Sequence, residues 1–135
     1  MSKLKYLLAL VPLLLVFATG CPSSQADLGE SFTLAIGEST GISGEDMTIK
    51  FVEVTSDSRC PDGAECIVAG EARIKLTITY QGQDSTVILV QPGGTTNSAT
   101  DTFQGYSLTF NLKPYPQVDE EISADDYMLT MTVSK

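Results

Sequence analysis

Ile67-Val68-Ala69-Gly70-Glu71-Ala72-Arg73-Ile74-Lys75-Leu76-Thr77-Ile78-Thr79-Tyr80 is the longest alternating stretch of this 135-residue chain. Ala72, Ile74, Leu76, Ile78 and Tyr80 fall on one face; Arg73, Lys75, Thr77 and Thr79 fall on the other. Successive side chains of an extended chain point to opposite sides, so a period of two means a strand with one face in a core and one in water. Working outward, Gln81-Gly82-Gln83-Asp84 reads as a turn, and Thr86-Val87-Ile88-Leu89-Val90 as a strand buried on both faces or lying at the centre of a sandwich.

The same period recurs on both sides. Phe32, Leu34 and Ile36 alternate with Thr33 and Ala35; Met47, Ile49 and Phe51 alternate with Thr48 and Lys50. Val52 breaks the phase and Val54 continues it, the mark of a bulge or of burial on both faces. Residues 39–46, with Gly41 and Gly44, read as a loop, as do 92–101. Tyr106, Leu108, Phe110 and Leu112 form a further alternation that Pro114-Tyr115-Pro116 stops, and Tyr127, Leu129, Met131 and Val133 form a last one. No helical stripe interrupts them beyond the N-terminal leader. Six or seven short strands with turns between them predict an all-β fold: an antiparallel β-sandwich, immunoglobulin-like, with a small β-barrel as the alternative. Residues 31–135 form its single domain.

The first twenty residues differ in kind. Lys3 and Lys5 precede an apolar run over 6–17, too short to cross a bilayer and of the right length for a signal helix. The run ends in Ala18-Thr19-Gly20-Cys21. Small residues directly before a cysteine resemble the lipobox of bacterial lipoproteins. That resemblance implies a leader over 1–20, removed before Cys21, and a Cys21 carrying diacylglyceryl and further acyl chains such as palmitate. An ordinary cleaved leader or an uncleaved anchor are the other readings. Several acyl chains on one residue suffice for durable attachment to a membrane. Pro22 stands where some inner-membrane lipoproteins carry aspartate, so inner-membrane retention is not signalled. Residues 21–30 read as a flexible tether, Pro22-Ser23-Ser24-Gln25-Ala26-Asp27-Leu28-Gly29-Glu30 reaching at most ~30 Å. The expected location is therefore extracytoplasmic, at a bacterial cell membrane.

Charge and composition bound the function. The whole chain carries −9; losing Lys3 and Lys5 leaves six basic against seventeen acidic residues, a net −11. Nucleic acids and anionic lipid headgroups need basic patches, so neither is an expected partner. The chain holds no histidine. That removes Ser-His-Asp and Cys-His catalysis and the usual zinc and copper sites.

Two cysteines remain, Cys60 and Cys66, within Asp57-Ser58-Arg59-Cys60-Pro61-Asp62-Gly63-Ala64-Glu65-Cys66. In an oxidising compartment they are expected to pair, and their spacing is wider than that of a C-x-x-C redox motif. Arg59 is expected to pair with Asp57 or Glu71, or to stand exposed as a contact for an anionic partner. Asp62 and Glu65 on the rim complete a loop that is either a structural staple or an interaction face.

Asp57-Ser58-Arg59-Cys60-Pro61, then Cys66, then Ala69-Gly70-Glu71 resemble the signature of a group of small bacterial secreted proteins and lipoproteins with no assigned activity. Leu112 and Pro114-Tyr115-Pro116 resemble that group's later Pro-Tyr-Pro element. A tryptophan is common in that group two residues after the second cysteine, where this chain has Val68. The resemblance spans about 31–135; it implies an architecture and assigns no catalytic residue, cofactor or metal.

The remaining candidates are weaker. Asp119, Glu120, Glu121, Asp125 and Asp126 are a conceivable calcium site, though without the spacing of an EF-hand. Carboxylate pairs for a hydrolase could be drawn from many positions. Tyr80, Phe103, Tyr106, Tyr115 and Tyr127 could form a binding platform or pack as core. The expectation is a monomeric, non-catalytic binding or accessory module of the cell envelope, held by the membrane and meeting a protein partner. A carboxylate hydrolase and a calcium-dependent structural module are the alternatives.

Overall fold

The structure is a computed structural model that describes residues 24–135. The leader at 1–20 and the lipidation candidate Cys21 lie outside the described residues.

Among the described residues, nine strands and one 3-10 turn follow in order: β1 (Gln25–Ala26), β2 (Ser31–Ala35), β3 (Ser39–Ile42), β4 (Met47–Asp57), β5 (Glu71–Tyr80), β6 (Gln83–Pro92), β7 (Ala99–Phe103), β8 (Tyr106–Lys113), the turn η1 (Ala124–Asp126) and β9 (Met128–Ser134). They form two packed sheets, a five-stranded one in the order β1-β3-β4-β5-β6 and a four-stranded one in the order β2-β9-β8-β7. All pairings are antiparallel except β1 with β3. The expected β-sandwich is therefore present. Its strand order is its own. Four consecutive strands, β3 to β6, meander within one sheet, whereas an immunoglobulin domain divided ABED and CFG keeps no more than two consecutive strands in one sheet.

Alternation builds the core. Met47, Ile49 and Phe51 of β4, and Ala72, Ile74, Leu76 and Ile78 of β5, face Leu108, Phe110 and Leu112 of β8 and Leu129, Met131 and Val133 of β9. Each such aliphatic side chain contributes about 1.5–3 kcal/mol by leaving water. The phase break at Val52 is a bulge: the β4–β5 register shifts between Phe51 and Glu53, and again between Val54 and Ser56. Gln81 and Gly82, both at positive φ (50° and 77°), make the two-residue link from β5 to β6. That backbone twist matches the twist of the strands it joins.

Four local expectations change. Residues 39–42, read as loop, form β3, because Thr40 and Ile42 turn inward while Gly41 lies beside Gln25 of β1. Ile67 and Val68 are not strand; β5 starts at Glu71. β6 is an edge strand and not a strand covered on both faces, since Ile88 and Val90 point to solvent. The described part of the expected tether is docked: Ala26 is buried, and Gly41 N–H donates to the Ser24 carbonyl at 3.0 Å.

Candidate functional site

β4 and β5 diverge into the cysteine loop at one end of the sandwich. Their pairing continues past the strand ends: Ser58 N–H donates to Glu71 O at 2.8 Å and Cys60 N–H to Ala69 O at 2.7 Å. The Cys60–Cys66 disulfide then closes the tip, with Cα atoms 6.0 Å apart. Two glycines let three backbone segments meet beneath it. A Cβ on Gly70 would lie 1.8 Å from the Ser58 carbonyl oxygen, and one on Gly93 would lie 1.9 Å from that of Ala69. Gly93 N–H donates to Gly70 O at 2.9 Å, so the loop end of β6 is joined to the base of the cysteine loop.

Arg59 fixes this assembly to the other sheet. Its side chain is 1% exposed. Nε and Nη2 donate to the two oxygens of Asp57 at 2.8 and 2.7 Å. Nη1 donates to Leu112 O at 3.0 Å, and Nη2 also to Pro114 O at 3.1 Å. The guanidinium carbon stands 5.2 Å from the centre of the Tyr115 ring, a cation–π contact. Tyr127 Oη donates to Asp57 Oδ2 at 3.0 Å. Of the two expected partners, Arg59 therefore takes Asp57, while Glu71 pairs with the exposed Arg73 at 2.8 Å. Burial pushes the Asp57 carboxyl up, but the hydrogen bonds and charge of Arg59 and the Tyr127 hydroxyl outweigh it and hold it below the usual carboxylate range. Tyr127 is pushed up to about 12, first by burial and then by the Asp57 carboxylate.

Tyr115 completes the joint. Its hydroxyl donates to Cys60 O at 2.8 Å and accepts from Gly94 N–H at 2.9 Å. Asp62 N–H donates to Pro116 O at 2.8 Å, so the loop also pairs with the chain after β8. Residues far apart in sequence, 57–71, 93–94, 112–118 and 127, thus meet at one end of the molecule. The sequence singles out Asp57, Arg59 and the cysteines, and offers Tyr127 only as one of five aromatic candidates; it marks neither the bond of Tyr127 to Asp57 nor the close approach at Gly93. Their signals, a tyrosine at the start of a strand and a glycine after a proline, are common to many unrelated sites.

What this end presents outward is apolar at its tip and acidic at its rim. Ile67 is fully exposed (104%) and Val68 is 72% exposed. Asp62 and Glu65 are exposed on the same loop. A cleft of about 370 Å³ runs between the disulfide and Gly94, Thr95, Thr96 and Tyr115. A smaller one, about 250 Å³, lies beside Asp57 and Arg59 and is bordered by Glu120 and Glu121. The expected acidic cluster is divided: Glu120 and Glu121 border that cleft, whereas Asp126 accepts the Ser123 N–H at 3.3 Å at the start of η1. Among the described residues, no three His, Cys, Asp or Glu side chains converge as metal ligands would. Of the aromatic candidates, Tyr80 packs edge-on against Phe103 and Tyr106 at the opposite end of the sandwich, so the five do not form one platform.

Fold and site together define a β-sandwich with a disulfide-closed loop riveted by a buried arginine. Comparison with protein-family models, with curated proteins and with solved structures finds no match.

Proposed function

We propose that the protein is a lipid-anchored, non-catalytic binding module of a bacterial cell envelope, held by acyl chains on Cys21. Its contact surface is the disulfide-closed tip, engaging a protein partner. The observation that carries this reading is the exposure of Ile67 and Val68 on a loop that cannot fold back over them. Apolar side chains in a flexible loop can collapse onto the nearest surface. Here the disulfide, the Cys60–Ala69 hydrogen bond and the Tyr115 hydroxyl hold the loop's shape. Rigid apolar anchors lose little conformational entropy on binding. The rim of Asp62 and Glu65 fits a partner with an apolar pocket bordered by cations.

The chemistry of the neighbouring cleft favours binding over hydrolysis. A general acid needs a raised carboxyl pKa, and the carboxyl buried in that cleft, Asp57, is lowered and locked to Arg59.

The test uses the full chain in bacterial envelopes with a short amine-reactive cross-linker. An Ile67→Asp/Val68→Asp variant is expected to keep its membrane location and melting temperature while losing a discrete cross-linked species. The same species at the same yield from the variant would overturn the reading. Cys21→Ser is expected to move the protein to the soluble fraction, and continued membrane attachment would refute lipidation.

A further inference from the structure

Among the described residues, β6 is the long sheet edge that no other strand covers. An edge strand offers unpaired N–H and C=O groups to any chain that can lie beside it, and natural sheets blunt such edges with short strands, charges, prolines or bulges. The other edges carry these devices. β7 has five residues with Asp101 at its centre, and β2 has five, lying between Glu30 and Glu38. β3 is capped by β1, and the part of β4 beyond β3 is bulged twice and carries Glu53 and Asp57. By contrast, β6 runs ten residues, pairs with β5 through ten successive positions without a register shift, and has a single charge, Asp84, near its start and a proline, Pro92, only at its last position.

The free groups can be identified by alternation. Gly93 N–H donates to Gly70 of the β5 side. Antiparallel pairing alternates bonded and non-bonded positions. Ser85, Val87, Leu89 and Gln91 therefore bond to β5, and Thr86, Ile88 and Val90 direct their N–H and C=O away from the sheet. Ile88 and Val90 are also the exposed apolar side chains of the strand, at 41% and 37%. They lie beside Lys75 and Arg73 of β5, whose charges are met by Glu53 and Glu71. On a chain of net −9, this is a patch where local charge nearly cancels.

We propose that β6 is the pairing edge of a homodimer, two copies aligning β6 antiparallel about a twofold axis to make a continuous ten-stranded sheet. The strand suits its own copy. With the axis at Ile88, Thr86 meets Val90 of the second copy and Asp84 meets Pro92; with the axis at Val87, Asp84 meets Val90. In neither register does Asp84 face its own counterpart, so no like charges oppose. The proposal departs from the monomer expected from sequence and is independent of the Ile67–Val68 reading. One strand edge buries less than the ~1,200–2,000 Å² of a standard interface, so the pair is weak in dilute solution and favoured where copies are concentrated on a surface.

The test places single cysteines in the full chain, expressed with its leader, and oxidises isolated membranes with copper phenanthroline. Ile88→Cys is expected to give a species of twice the monomer mass. Thr79→Cys, on the same face but inside the sheet, gives little. Adding Val90→Pro to Ile88→Cys, which removes an outward N–H that the pairing uses, lowers the dimer by about tenfold. Adding Ile67→Asp/Val68→Asp leaves it unchanged, which separates this proposal from the tip. Equal cross-linking at positions 79 and 88, no dimer at 88, or cross-linking to a different protein would each overturn it. So would sedimentation of the purified full chain in detergent as a monomer at ~1 mM, a concentration at which even a weak pair forms.

Discussion

Arg59 shows how much one residue can hold when each of its three guanidinium nitrogens donates a hydrogen bond. Its pair with Asp57 is buried, and such pairs add little net stability over an apolar replacement, yet breaking one leaves an unpaired charge. Arg59→Ala is expected to cost about 3–5 kcal/mol in urea denaturation. Asp57→Asn combined with Arg59→Met should cost clearly less than the sum of the two single changes. The lowered Asp57 carboxyl also sets a pH dependence. Its contribution is complete above the ordinary carboxylate value of about 4 and fades as pH falls below that, through the folded value. Melting temperatures between pH 2 and 7 should show this slope, and Asp57→Asn should flatten it. Tyr127 acts on the alkaline side: raised to about 12 in the fold, it sheds stability as pH rises from ~10, the ordinary phenol value, towards that point. Tyr127→Phe should reduce that loss, while Tyr106, raised by its hydrogen bond to Glu45, keeps part of it. At this scale the sequence was half legible. Asp57 and Arg59 are two apart on an extended chain and share a side. The carbonyls of Leu112 and Pro114 carry no mark in a sequence, because every residue has one.

Among the elements, the cysteine loop and β6 are where sequence and structure part. The run Thr86-Val87-Ile88-Leu89-Val90 has no polar alternation, so it reads as covered on both sides. Whether a strand lies at a sheet's edge depends on the order of the others, which periodicity does not encode. β3 was invisible for the opposite reason: Thr40 and Ile42 are its only inward side chains, too few to make a pattern. The disulfide was legible because, of the three cysteines, Cys21 is expected to carry lipid and only Cys60 and Cys66 are left to pair. Replacing both Cys60 and Cys66 with serine is expected to cost about 2 kcal/mol, the chain-entropy value for so short a loop. Gly70→Ala and Gly93→Ala should cost more, since a methyl would fall inside a neighbouring backbone carbonyl. Gly29→Ala is the useful comparison: its Cβ meets nothing within 4 Å, and only its positive φ is penalised. Thermal unfolding of the three variants ranks them directly.

For the whole molecule, the period of two was enough to give two facing sheets, because burying one side of every strand leaves few other arrangements. The functional reading draws on composition as well: the acidic excess narrows the partners, and the absence of histidine narrows the chemistry. An excess of this size also repels itself. The melting temperature is expected to rise between 10 mM and 200 mM sodium chloride as screening shortens the reach of that repulsion, and a flat response would mean the acids are already neutralised locally. One small feature has a mechanical side. β1 lies parallel to β3, and only three peptide steps separate Ser24 from Cys21. Under the lipid anchoring proposed for Cys21, the domain would ride within ~10 Å of the surface instead of swinging on a leash of ~30 Å. The clasp is two residues of strand with the Ser24 hydroxyl at Ser39 and Thr40. In that anchored form, a pull strong enough to peel it would release the longer leash in one step, and the height of the domain would be set by its shortest strand.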